Sequence, residues 1–505
     1  MVNCLVRATC LLLVFLVSWG CNVDTGNLTI TLVRSWRSDQ DPLADARWVR
    51  VRVDGPGVLV GPERYSIKDG QGTLAEVPVG DDRQITVEGL GYEGNPISRG
   101  RTRPLPIEEG ENTLSLYIGR IEEEGAFSYS SAKLLVPRAF HTTTLLRDGS
   151  LVVCGGFSQV PAVWRPEDPE LPTPMAAMER LNGESLLTMA SSPSGCLPGA
   201  GKGCMASARA GHSATLLQSG NVLVAGGLEA EDREPVAKVE VFTSEDNRFV
   251  RSGSLAKPRA WHRAVVSDGG VLVVGGESYT LGANATKSYS LPGELFSSGS
   301  LETRPGLLKG RRAFTLTALP DGTLVAAGGL DRARDQNPSP LDSIELLTPN
   351  APGWKTSRAR LKVPRAYHTA TLLDDGMILF VGGLSSVAGT GGSTGTVELY
   401  DPGSDSVMLL PRALTTTRWA HTATLLDDGR VLVVGGFSGN LEAGPSADVE
   451  QIRFLQGGVI QVRPMAKMNE RRAGHTATRL ASGLLLVLGG TSGSQVSNTA
   501  EVFVY

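Results

Sequence analysis

Pro364-Arg-Ala-Tyr-His-Thr-Ala-Thr-Leu-Leu-Asp-Asp-Gly-Met-Ile-Leu-Phe-Val-Gly-Gly383 reads as two strands and the turn between them. Apolar and polar residues alternate through His368–Leu373, the period of a strand buried on one face. Asp375-Gly376 supplies the positive φ of a tight hairpin, and Asp148-Gly149, Asp321-Gly322 and Asp428-Gly429 recur at the same phase. The apolar run that follows, Ile378–Val381 here and Val431–Val434 elsewhere, is expected to be covered on both faces. Gly382-Gly383 ends it where side chains of neighbouring sheets would collide.

This stretch is written seven times. The Gly pairs begin at 155, 226, 275, 328, 382, 435 and 489, and all six histidines (His141, His212, His262, His368, His421, His475) lie thirteen or fourteen residues before one. Each histidine follows an arginine by three: Arg138, Arg209, Arg259, Arg365, Arg418 and Arg472. In the remaining copy Arg312 takes that phase and Thr315 stands where the histidine is expected. A third strand recurs as Val239–Phe242, Ile344–Leu347, Val397–Pro402 and Ala500–Phe503. A weaker fourth carries an apolar residue such as Trp354, eleven positions before the next arginine. A four-stranded unit repeating near fifty residues resembles the kelch repeat. The resemblance covers residues 122–505 and implies an all-β fold, a seven-bladed β-propeller. Because the last copy stops at its third strand, the matching segment Phe127–Leu135 is expected to supply the fourth and remove the open edge.

Of 505 residues, 61 are glycine and 6% aromatic, which suits many short strands and turns, and a net charge of −4 gives no electrostatic case for nucleic acid. Residues 1–20 read as a signal peptide, with Arg7, the apolar Leu11–Val17 and a small-residue end before Cys21. Leu16–Cys21 resembles a bacterial lipobox, departing from it at Ser18 and Trp19. The resemblance implies lipidation of Cys21, residues 21–26 as a linker, and, from Asn22, an outer-membrane or cell-surface address; the alternative is ordinary secretion. Residues 27–121 read as seven short strands and are expected to form a small β-sandwich, immunoglobulin-like or transthyretin-like. The acidic run Glu122–Glu124 is the linker to the repeats.

Cysteine placement fits an oxidising compartment. Cys196 and Cys204 bracket a glycine-rich loop in the long first repeat and are expected to form a disulfide, while Cys154 falls in a buried strand. Gly199–Gly203 is no phosphate loop: Gly203 follows Lys202 where Ser or Thr is required.

Residues present in every copy serve the architecture, because a site needs a group once and a repeat needs it each time. The seven arginines, the third-strand Glu240, Glu294, Glu345, Glu398, Glu450 and Glu501, and the histidines are therefore expected to hold the fold. Neither a metal site nor a cofactor is expected. Function is sought where copies differ: before the histidine (Phe140, Trp261, Phe314, Tyr367) and after the Gly pair (Phe157, Phe437). These aromatics are expected to form a platform for a glycan, peptide or envelope protein. The expected function is binding by a monomer held to the membrane only by lipid. The alternative is a copper-radical oxidase, because Arg365-Ala-Tyr-His368 resembles the copper-ligating segment of galactose-oxidase-type proteins. Every other histidine, however, is a repeat residue, and no cysteine is placed for the tyrosine cross-link that chemistry needs.

Overall fold

The hairpin at 364–383 forms as its sequence dictates. Thr369–Leu372 pairs antiparallel with Ile378–Val381, and the Asp375 carboxylate accepts the Met377 N–H at 3.0 Å to fix the turn. All four side chains of Ile378–Val381 are buried. Gly382 has φ +61°, and a Cβ there would lie 2.7 Å from the Arg418 carbonyl and 2.8 Å from the His421 ring. The glycine is required because the next repeat packs directly against it. The computed structural model describes residues 24–504 except 36, 38–39, 57, 67–69, 122–124, 160–172, 192–195, 197–202, 230–233, 281–285, 332–337, 387–391, 440–443, 456–458 and 494. The leader, Cys21 and the acidic linker run lie outside the described residues.

The described elements are all strands. Repeat units 1 to 7 begin at Thr142–Leu145, Ser213–Leu216, Arg263–Ser267, Thr315–Ala318, Thr369–Leu372, Thr422–Leu425 and Thr476–Arg479. Unit 5 continues through Ile378–Val381, Val397–Asp401 and Ser406–Leu409 as one antiparallel meander. Unit 7 takes its outer strand from Ala126–Lys133, paired to Thr499–Val504 with Phe127 opposite Phe503. That strand stops two residues short of the expected Leu135; Leu134 turns into the core and Leu135 is exposed.

Apolar clusters join each unit to the next. Val325 and Ile344 pack on Ile378 and Phe380, Leu379 on Val431 and Val433, and Leu432 and Val434 on Leu485 and Val487. Leu486 and Leu488 then pack on Leu151 and Val153, so the last unit meets the first. The N-terminal residues form two sheets around one core, Thr25–Val33 lying between Gln71–Pro78 and Gly110–Tyr117, and Trp48–Gly55 within the larger sheet. One of the seven expected strands is in fact two, Pro96–Arg101 and Leu105–Ile107, both paired with Gly80–Leu90.

One arginine per unit ties these strands together. Arg365 donates to the Gly382 carbonyl at 2.8 Å and the Thr396 carbonyl at 3.2 Å, and pairs with Glu398; both side chains are fully buried. Glu398 in turn accepts the N–H groups of Lys362 and Val363 at 2.7 and 3.0 Å. Arg138–Glu179, Arg259–Glu294, Arg418–Glu450 and Arg472–Glu501 repeat the pair at 2.6–3.0 Å, and Arg209–Glu240 joins them. Glu179 escaped the sequence reading because the long first repeat displaces it.

In unit 4 the arginine is Arg311, which reaches the Gly328 carbonyl at 2.8 Å and Glu345 at 2.5 Å. This corrects the expected register by one residue. Arg312 bridges Leu330 as Ala366 bridges Leu384, and so occupies an alanine position. Phe314, not Thr315, stands at the histidine phase. The spacing carried the signal: Arg311, like Arg365, precedes its Gly pair by seventeen residues.

Arg365→Ala should lower unfolding free energy by about 3–5 kcal/mol, since it leaves the buried Glu398 unpaired. Arg365→Met with Glu398→Leu should not recover wild-type stability, because the buried Gly382 carbonyl loses its partner at about 1–3 kcal/mol and the part-buried Lys362 and Val363 N–H groups lose theirs. Urea unfolding midpoints check both; a fully stable double variant contradicts the scheme.

Candidate functional site

Two residues after each core arginine the backbone turns left-handed. Phe140, Gly211, Trp261, Ala313, Tyr367, Ala420 and Gly474 all have φ between +50° and +62°. Backbone hydrogen bonds join six of the seven neighbouring pairs, such as Trp261 N–H to Gly211 at 2.9 Å and Tyr367 N–H to Ala313 at 2.9 Å. Non-glycine residues tolerate this region at a cost, and the shared hydrogen bonds hold them there. The circle frames a recess of about 300 Å³.

The large residues lean over small ones. A Cβ on Gly211 would touch the Trp261 ring at 3.1 Å, and one on Gly474 the Phe140 ring at 2.7 Å. Phe140 meets Trp261 edge-on at 5.9 Å between centroids, and Trp261 meets Tyr367 at 6.3 Å. These three rings line the recess, and the smaller Ala313 fills the circle between Trp261 and Tyr367.

The other expected aromatics do not reach it. Phe314 is fully buried between units 3 and 4 against Leu272, Val274 and Trp354, because it holds the histidine phase. Phe157 and Phe437 are also buried, since the residue after the Gly pair points into the packing beneath the circle. Trp419, which sequence reasoning missed, stacks on Phe437 at 4.5 Å and meets Tyr367 at 5.5 Å. Away from the recess, Cys196 and Cys204 are joined by a disulfide.

Below the aromatic rim runs a belt of imidazole–hydroxyl pairs. Thr142 meets His212 Nε2 at 3.0 Å, Ser213 meets His262 at 2.9 Å and Thr315 meets His368 at 3.1 Å. Thr369–His421, Thr422–His475 and Thr476–His141 continue it across the last seam at 3.0–3.1 Å. Burial, and then the positive charge of the core arginines, holds all six imidazoles neutral. His212 and His475 are pushed down to about 3, and the other four well below their usual value. The belt breaks at one seam, between units 3 and 4, where Arg263 replaces the hydroxyl residue and Phe314 the histidine.

The same seam carries a second departure. Arg312, at its alanine position, is buried against Glu277 at 3.2 Å and donates to the Tyr367 hydroxyl at 3.1 Å. Glu277 follows the unit 3 Gly pair, where other units carry Phe, Leu or Thr, and also pairs with part-exposed Lys287 at 3.1 Å. Arg263, Arg312, Glu277 and Lys287 thus gather charge at one seam of an otherwise neutral rim. A position-by-position comparison of the copies would have exposed Arg263, which follows its histidine where the others have Ser or Thr.

No protein-family model matches the chain. Over 215 residues, 41% of this chain, it is 26% identical to alpha-scruin from Limulus polyphemus, and the match spans only 22% of that protein. Its structure is similar to that of a fungal alcohol oxidase of the AA5 family in complex with copper. That likeness has a TM-score of 0.55 at 15% identity and covers 75% of this chain and 76% of that one. At this identity the likeness establishes the fold alone. The residues here do not fit copper. His368 Nε2 is engaged by Thr315 and the Tyr367 hydroxyl by Arg312. The Cys154 thiol is buried inside unit 1 and pushed up to about 12 by desolvation. Among the described residues no three His, Cys, Asp or Glu side chains gather into a metal-binding group.

Glu277→Leu alone should destabilise the chain by about 3 kcal/mol, leaving Arg312 buried without its carboxylate, and adding Arg312→Ala should restore most of that loss. Thermal denaturation of the four members of the cycle measures the coupling; additive losses contradict it. The belt sets a pH dependence. An unfolded histidine takes up a proton near pH 6.5 while its folded counterpart stays neutral to a much lower pH. Stability should therefore be level above about pH 7 and fall by up to about 1.4 kcal/mol per histidine per pH unit below 6.5. Calorimetry at pH 7.5, 6 and 5 checks the sign.

Proposed function

We propose that the seven units are the blades of a kelch-type β-propeller, set on a small N-terminal β-sandwich and anchored at the cell envelope through lipid on Cys21. In this reading the chain is a non-catalytic binding protein. One rim of the propeller engages a glycan, a peptide or another envelope protein.

The recess framed by the left-handed circle carries the proposal. It is the place where the aromatic rings of three units, Phe140, Trp261 and Tyr367, meet on one concave surface. Aromatic faces present apolar area that loses little conformational freedom on binding, and the surrounding backbone can orient polar groups. The imidazoles around them are neutral and already engaged by hydroxyls, so they supply walls and not an acid–base pair. The alternative oxidase reading loses support from the same bonds.

Phe140→Ala with Trp261→Ala should abolish binding in a glycan and peptide screen while circular dichroism stays native-like. Both rings are only partly buried and cover glycines at the rim. Unchanged binding by this pair would move the site elsewhere. Cys21→Ala should abolish incorporation of labelled fatty acid and release the protein from the membrane fraction.

A further inference from the structure

We propose that the recess binds a small ligand bearing a single carboxylate, and that Arg263 holds that group. The inference rests on the rim being a binding surface, and it specifies the chemistry of what the rim takes.

Arg263 begins the inner strand of unit 3 and lines the recess with Trp261 and Tyr367. As a residue it is part-exposed and it lines the recess, while burial around its guanidinium pushes its pKa down. Its hydrogen bonding within the protein is weak: NH1 donates to the His262 carbonyl at 3.4 Å. Among the described residues it forms no ion pair, and no carboxylate lines the recess. The nearest acid at this seam, Glu277, is committed to Arg312 and Lys287. A guanidinium presents five donors in a planar fork that matches a carboxylate. Here most of those donors are left for a ligand.

The placement is not an accident of architecture. At six seams a hydroxyl residue and a histidine close the belt; at this one both members are replaced together, by Arg263 and Phe314. A structural arginine would be expected to find a carboxylate or a carbonyl cluster, as the core arginine of each unit does. Arg263 has instead displaced a belt bond and remains underused.

A lone arginine with neutral imidazoles around it neutralises one negative charge. A phosphate monoester carries nearly two at neutral pH, so a carboxylate is the better match. The walls suit a compact carrier: the rings of Trp261 and Tyr367 provide apolar edges, and Thr142 and Thr369 keep lone pairs that can accept from ligand hydroxyls or amides. About 300 Å³ is the low end of ligand-site volumes, room for one ring or a short chain.

Calorimetric titration of the full-length chain at low ionic strength tests this with glucuronate, glucose, glucose 6-phosphate and N-acetyl-glutamate amide. Two variants accompany it: Arg263→Thr, and Arg263→Thr with Phe314→His, which writes the seventh belt pair back. Wild type should bind at least one of the two carboxylates about tenfold or more tighter than glucose, and whichever binds identifies a sugar or a peptide-like carrier. Both variants should lose that preference, with the double variant melting at or above the wild-type temperature. Carboxylate binding undiminished in the belt-restored variant overturns the proposal. So does preference for glucose 6-phosphate, or neutral ligands bound equally by wild type and Arg263→Thr. That last result leaves the rim as a binding surface intact, whereas no binding of any ligand in this set or the wider screen, by wild type, removes the carboxylate proposal and the glycan or peptide reading of the rim together.

Discussion

The fold depends on a buried arginine that ties the segment entering each unit to its second and third strands. Arg365 lies in the segment entering unit 5, bonds the carbonyl at the end of the second strand, and pairs with a glutamate on the third. The glutamate reaches back to the N–H groups preceding the arginine, closing the circuit. An isolated buried ion pair is a doubtful source of stability, since desolvation opposes the Coulomb gain. Here the charges also satisfy the Gly382 carbonyl and the Lys362 and Val363 N–H groups, which have no backbone partner, and leaving those unmet would add to the cost. That is why the pair recurs in every unit, and why a copy that shifts by one residue, as unit 4 does, still finds it through Arg311.

From that anchor the rim follows geometrically. The arginine fixes its own residue in the packing, and two residues later the chain must turn left-handed to enter the inner strand. Gly211 and Gly474 meet the need without strain, and Trp261, Tyr367 and Phe140 meet it under constraint. Their side chains are thereby held at the opening of the axis, over the small residues of neighbouring units. The Gly pairs do the complementary work, letting the next unit's histidine approach to where a Cβ would be.

Much of this was legible in the sequence, for a physical reason. Turns ending in glycine (Asp-Gly in five copies, Ser-Gly in two), alternating inner strands and Gly pairs are local requirements, so they survive in each copy and can be read one at a time. The outer strand of unit 7 was legible because its spacing to Arg138 matches that of Trp354 to Arg365. What failed was whatever depended on register between copies. Two adjacent arginines in unit 4, both buried, hid which one makes the core pair, and the error carried Phe314 onto the rim when it belongs in the core. Phe157 and Phe437 were misplaced because variability marks a position as free of the repeat without saying which way it faces. The N-terminal strands were located, but Pro104 splits one of them into Pro96–Arg101 and Leu105–Ile107, a break that was passed over.

The charged departures from the repeat are not scattered. Arg263, Glu277, Arg312 and Phe314 lie at the junction of units 3 and 4, and each makes sense only beside another. Arg312 at an alanine position requires a carboxylate, which Glu277 supplies in place of an apolar residue. Phe314 at a histidine position has no use for a hydroxyl partner, and Arg263 takes the vacated place. Relaxed constraint would let single positions drift at any of seven equivalent seams, and most such changes would leave a buried partner unmet. Paired changes in charge at one seam instead describe a surface altered there while its framework stays intact. The remaining asymmetry is electrostatic: Glu277 answers Arg312 and is shared with Lys287, whereas Arg263 faces the recess with no carboxylate of its own.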